Sequence, residues 1–147
     1  MSDLGRLFQL RKSEYARPLE RFTTEALAIA IDHDPRPMLS ALTAMDWSSA
    51  GGSGWPTALS SVSDLHAQTQ RTLWDESKAV GYLDLILLPN GDTQDLGEIW
   101  VEVKVDAWVH GDQLSVYQEH AKRMSPPATL ITLGRTPIDA GLPALTW

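Results

Sequence analysis

Residues 98–105, Glu-Ile-Trp-Val-Glu-Val-Lys-Val, alternate without a break between aliphatic and other side chains. Successive side chains of a β-strand point to opposite faces. Ile99, Val101, Val103 and Val105 therefore share one face, and Glu98, Trp100, Glu102 and Lys104 share the other. The aliphatic face belongs in a core. The opposite face sets a carboxylate and an ammonium two positions apart, ~6.5–7 Å along the strand. Val80–Leu88 is a second strand: Leu83, Leu85 and Leu87 fall on one face, and Tyr82, Asp84 and Ile86 on the other. One acid in so apolar a strand is costly to bury unpaired. If the two strands pair with both aliphatic faces in one core, Asp84, Glu102 and Lys104 converge on one spot.

The rest of the chain supplies layers for such a sheet. Leu19, Phe22, Ala26, Leu27, Ala30 and Ile31 recur at helical spacing after Pro18, a residue tolerated in a first turn. Asp32-His33-Asp34-Pro35-Arg36-Pro37 ends that helix, and a second short one is expected over Pro37–Met45. Residues 1–17 read as an arm or a short first helix, and Ser48–Gly54 as a loop. His66–Trp74 is a candidate strand, Asp75–Lys78 a turn, and Asn90-Gly91 a turn signal between the two central strands. Asp112 is placed to cap a helix reaching about Met124, which Ser125-Pro126-Pro127 stops. Thr129–Leu133 and Ala144–Trp147 are further strands. The order predicts an α/β fold, a mixed central sheet flanked by helices. All 147 residues suit a single domain, and the stop at Trp147, inside an expected element, reads as a domain cut from a longer protein.

Composition removes several classes of function. The absence of cysteine excludes a disulfide scaffold, a thiolate zinc site and a cysteine nucleophile. No run approaches the ~18–20 apolar residues of a membrane span, and the N-terminus lacks the order of a signal peptide, so a cytoplasmic protein without a membrane partner is expected. The net charge of -7 argues against nucleic-acid binding by bulk charge. Five of the twelve bases (Arg6, Arg11, Lys12, Arg17 and Arg21) lie near the N-terminus, whereas Asp75 to Glu119 holds ten acids and only Lys78 and Lys104. Such an acidic centre is either a solvated face or a site for a divalent cation.

Two carboxylates offer the hard oxygen ligands that Mg²⁺ and Mn²⁺ prefer, with several waters retained. A metal so held polarises a phosphoryl oxygen and acidifies bound water. A neighbouring lysine orients that water or stabilises charge in the transition state. The set Asp84, Glu102 and Lys104 suits phosphodiester hydrolysis.

At these residues the chain resembles the PD-(D/E)XK nuclease superfamily, the restriction-endonuclease-like fold. Asp84, followed after 17 residues by Glu102-Val103-Lys104, matches the D…ExK core. Leu83 replaces the proline of the name, while Gly81-Tyr82-Leu83-Asp84 matches the G-x-x-D form of several branches. Glu25 resembles the acid that many members carry on their first helix, and Glu20 is its rival. Gln113-Leu114-Ser115-Val116-Tyr117 matches the Q-x-x-x-Y pattern of the RecB-like branch, and positions i and i+4 share a helix face. The resemblance covers roughly residues 18–133. It implies hydrolysis of DNA, less often RNA, with Mg²⁺ or Mn²⁺ held by Asp84, Glu102, the Val103 carbonyl and Glu25. It makes Lys104 the catalytic lysine, with Gln113 and Tyr117 supporting the site or touching the phosphate backbone.

Each residue also has a plainer use. Glu102 and Lys104 suit an exposed charge pattern on a half-solvated sheet. Asp84 suits a structural role, Glu25 a solvated helix face and Tyr117 a core position. His33, His66, His110 and His120 lack metal-ligand spacing and read as structural or surface. Trp100 and Trp108 could stack on a base, but packing is the commoner use. Ser53 lacks the strand-to-helix setting of a nucleophile, and the run around it lacks the end of a phosphate-binding loop.

The scarcity of bases suggests that a partner domain or subunit delivers the nucleic acid. A bacterial defence or DNA-processing effector is the setting that the family suggests. The rivals are a catalytically inactive nuclease-fold binding or assembly module, and a phosphoesterase acting on small nucleotides.

Overall fold

A computed structural model describes residues 18–50, 54–91, 97–104, 112–136, 138 and 141–146. Five strands form one sheet in sequence order: β1 (Val62–Asp75), β2 (Lys78–Gly91), β3 (Ile99–Val103), β4 (Thr129–Gly134) and β5 (Ala144–Thr146). The first three make an antiparallel meander, and β4 and β5 continue parallel to β3. Helices α1 (Pro18–His33) and α2 (Arg36–Ala44) precede the sheet, with a short turn of helix, α3 (Trp55–Ala58), before β1. Helix α4 (Gln113–Arg123) joins β3 to β4, the crossover that a parallel pair requires. The molecule is thus an α/β fold with a mixed sheet between helices. No helix among the described residues is long and apolar enough to cross a membrane.

The sheet has a core on each face. Ala28 and Ile31 of α1 and Met38 and Leu42 of α2 pack on Leu85, Leu87, Ile99, Val101, Val103 and Ile131. Leu114, Tyr117 and Ala121 of α4 pack on Leu83, Ile86, Trp100 and Leu130. The alternation in β3 therefore sorts its residues as expected, odd positions towards α1 and α2 and even positions towards α4. The even face is not half-solvated: Trp100, Glu102 and Lys104 are all buried. Trp100 consequently serves packing.

Three expectations need correction. Leu83 does not share a face with Leu85 and Leu87; it belongs to the core under α4. Strand β1 makes the same change, with Leu65 and Ala67 in the first core and Leu73 in the second. The cause lies between them, where Gln70 takes a left-handed backbone (φ 59°). Thr69 pairs with Leu85 and Arg71 with Leu83, so Gln70 stands opposite Asp84. One left-handed residue re-aims the hairpin, at a cost of about 1–2 kcal/mol for a residue other than glycine.

Asn90-Gly91 forms no tight turn either: β2 runs through both, with Asn90 opposite Asp64 and Gly91 opposite Val62. Pro89 is tolerated there because β3 reaches only to the level of Leu87, so that among the described residues no strand pairs with that edge of β2. Asp112 occupies the N-cap of α4 but makes no side-chain capping bond. The expected arm (1–17), Ser53, Val105, Trp108, His110 and Trp147 lie outside the described residues.

Candidate active site

Strand β2 pairs with β3 at Leu87–Ile99, Ile86–Trp100 and Leu85–Val101. The next step of that register sets Asp84 against Glu102. The ladder stops there, and the Asp84 carboxylate takes over: the Val103 N–H donates to Asp84 Oδ2 at 3.1 Å. A side chain thus fills the gap where the two strands part. Lys104 follows at the end of β3, its own N–H donating to the Leu133 carbonyl of β4 at 2.9 Å.

The three side chains form one cluster, with Glu102 and Lys104 buried and Asp84 half-buried. Lys104 Nζ lies 3.0 Å from Glu102 Oε1, with side-chain exposures of 5% and 2%. Glu102 and the neighbouring Asp84 each act on the other's titration. Burial raises both pKa values; for Glu102, burial and the adjacent Asp84 charge outweigh Lys104 and push it up to about 8. The pair titrates as a unit and holds a proton near neutral pH. Glu102 Oε2 is buried and accepts no hydrogen bond from any donor.

Helix α4 covers this cluster and fixes its approach. Gln113 Nε2 donates to the Tyr117 hydroxyl at 2.9 Å. That hydroxyl donates to the Tyr82 carbonyl at 2.8 Å and accepts the Tyr82 N–H at 3.3 Å. The clip holds β2 two residues before Asp84. Burial is the main cause that raises the Tyr117 pKa, with the Glu102 and Asp84 charges adding to it. Gly81 has its reason here: a Cβ at that position would stand 2.5 Å from Tyr117 Cε1. In G-x-x-D, the glycine admits the helix tyrosine. Gln113 and Tyr117 are therefore tied to each other and to backbone.

The two acids of α1 separate. Glu25 is buried and accepts the Thr69 hydroxyl of β1, which anchors the helix to the sheet. The charge of Glu20, also buried, acts on Asp84 and raises its pKa. Of the two, Glu20 is the acid whose charge reaches the site. The structure therefore brings together Asp84, Glu102, Lys104 and the Val103 backbone, sets Gln113 and Tyr117 beside them, and engages Glu25 with Thr69. His66, away from this cluster, pairs with Asp32 at 2.9 Å.

Among the described residues, no three His, Cys, Asp or Glu side chains form a metal-holding group. Asp84, Glu102 and the Val103 carbonyl still fit a cation that retains most of its waters, since Glu102 Oε2 is left without a donor. Pattern reading of the sequence did not single out Gln70 opposite Asp84 or Thr132 beside Glu102. Neither carries a local signal, and only strand register brings them to the site. No family model matches this chain, nor does any curated protein or solved structure.

Proposed function

We propose that this protein is a Mg²⁺- or Mn²⁺-dependent nuclease of the PD-(D/E)XK type, hydrolysing phosphodiester bonds in DNA in preference to RNA. The observation that carries this reading is the cluster in which Lys104 lies 3.0 Å from Glu102, both buried, with Asp84 one register step away on β2 and bonded to the Val103 N–H. A solvated charge pattern does not need such burial. An antiparallel meander followed by a helix and a parallel strand also agrees with the restriction-endonuclease-like core.

Asp84, Glu102 and the Val103 carbonyl would hold the cation. It would supply a polarised phosphoryl oxygen and a bound water of lowered pKa. As ligands, both carboxyl groups would be ionised. Lys104, with its ammonium fixed beside Glu102, orients the attacking water or donates to the developing charge on phosphorus. Gln113, Tyr117 and Gly81 hold β2 so that Asp84 meets Glu102. Glu20 adds negative potential from α1.

The net charge of -7 supports delivery of the polynucleotide by a partner domain or subunit. Cleavage of supercoiled, linear and single-stranded DNA and of RNA, with Mn²⁺, Mg²⁺ or EDTA, tests the reading. Metal-dependent cleavage that Lys104→Ala abolishes is the expected result. Metal binding without cleavage of any polynucleotide would favour the inactive module, and cleavage of free nucleotides alone the small-molecule phosphoesterase.

A further inference from the structure

Four positions stand in register across the sheet. Gln70 of β1 is opposite Asp84 of β2, because its neighbours Thr69 and Arg71 pair with Leu85 and Leu83. Asp84 is one register step beyond the Leu85–Val101 pair, which sets it against Glu102 of β3. Glu102 in turn pairs with Thr132 of β4. The two carboxyl groups are the inner members of the row, and an amide and a hydroxyl are its ends.

Both ends are chemically unfinished. Gln70 Nε2 is buried without a hydrogen-bond partner, and so is Thr132 Oγ1, in a residue with no exposure. Glu102 Oε2, the inner neighbour of Thr132, lacks a donor as well. Buried donors without acceptors are uncommon, and each calls for a reason.

Local stability argues against both residues, which makes their presence informative. Gln70 holds a left-handed backbone (φ 59°), a conformation that glycine adopts without penalty. Thr132 lies in a fully buried strand, where valine has the same shape and no hydroxyl to satisfy. At each place a polar side chain stands where an apolar or absent one would fit better. Both places flank the carboxyl pair.

We propose that Gln70 and Thr132 are positioning residues of the cation site, donors that orient the Asp84 and Glu102 carboxylates once these bind a divalent metal. This inference rests on the nuclease reading above. The two carboxyl groups are neighbours at the centre of the row. As ligands, both are fully ionised and need donors on the oxygens that the metal leaves free. Gln70 is the neighbour of Asp84 and Thr132 the neighbour of Glu102. Donors of this kind fix ligand orientation, and removing one typically weakens metal affinity about 10–100-fold.

The test is Mn²⁺ binding, read from the paramagnetic resonance signal of free Mn²⁺, alongside the melting temperature in EDTA. The variants are Gln70→Gly, which suits the observed backbone, Thr132→Val, which keeps the shape, and Thr132→Ser, which keeps the hydroxyl. The expected result is Mn²⁺ affinity lowered about tenfold in Gln70→Gly and Thr132→Val and retained in Thr132→Ser. Melting temperatures in EDTA should equal or exceed that of the wild type. Wild-type Mn²⁺ affinity in Gln70→Gly and Thr132→Val would overturn the inference and leave the nuclease reading standing. So would loss of affinity matched by a lowered melting temperature, the mark of a merely structural role. A wild type that binds no Mn²⁺ would overturn both.

Discussion

Lys104 and Glu102 form an ion pair 3.0 Å long that is almost wholly removed from water. A pair in that setting holds only while both partners remain, because either one alone is a buried charge. Here Glu102 has a second resort, protonation, since burial pushes its pKa up to about 8. Lys104→Met is therefore expected to abolish cleavage, by more than about 100-fold, as loss of a positioned electrostatic group does. Its effect on stability should depend on pH. At pH 6 Glu102 stays neutral and the melting temperature in EDTA changes little. At pH 9 the carboxylate is stranded and the loss is larger. Melting curves at the two pH values check this.

The raised pKa of Glu102 has a signed consequence for the metal-free protein. Its carboxyl is pushed up to about 8 in the folded state from an ordinary value of 4.5. The folded state then binds the proton more tightly, so this group's contribution to stability is full below about pH 4.5 and is lost as pH rises through about 8. Asp84 is shifted in the same direction. Glu102→Gln removes the titrating group and should be more stable than the wild type at pH 8, by about 1–3 kcal/mol, with little difference at pH 5. The same variant should lose the stabilisation that Mn²⁺ gives the wild type. Denaturant unfolding from pH 5 to 9, with and without Mn²⁺, measures both.

The clip between α4 and β2 should behave as one unit. Gly81→Ala forces a methyl against Tyr117 Cε1 and is expected to cost about 1–3 kcal/mol. Tyr117→Phe strips a partner from both the N–H and the C=O of Tyr82, at about 1–3 kcal/mol. Gln113→Leu removes a single donor and should cost less. In the double variant the two losses should fall short of their sum, since Gln113 acts on the hydroxyl that Tyr117→Phe deletes. Urea unfolding of the four proteins gives the coupling directly.

The acids of α1 should separate by readout. Glu25→Gln loosens the bond to Thr69 and is expected to lower stability by about 1 kcal/mol, as Thr69→Val should, with cleavage by the folded fraction retained. Glu20→Gln removes a charge that acts on Asp84, so it should lower the Asp84 pKa and shift the acid limb of the pH–rate profile downward. A greater loss of cleavage in Glu25→Gln than in Glu20→Gln would reverse the assignment.

Part of this was legible in the sequence because short-range rules govern it. The alternation through residues 99–103 sorted that strand between two cores, whereas the apolar face of α1 was only partly placed: Ile31 is buried, but Phe22 and Ala30 are exposed and Ala28 packs in the core instead. Asp84 attracted notice for a sound reason, the cost of an acid among leucines. The order of elements gave the α/β class. The Asn90-Gly91 signal failed because a long β1 was there to pair with both residues, and a pairing strand overrides a local turn preference. Leu83 was set on the wrong face because strict period two assumes an extended backbone throughout, and Gln70 breaks it on the neighbouring strand.

Sequence by itself determined the residue types and the parity of their placement: which strand carries Glu102 and Lys104, and which helix carries Gln113 and Tyr117. Those depend on spacings of a few residues. Only the tertiary structure decided how deeply the pair is buried, which α1 acid reaches Asp84, and that Gln70 and Thr132 close the row. Burial and register are set by strands tens of residues apart, and desolvation by the helix laid over them. Burial of these two neighbouring carboxyl groups is what raises the pKa of both.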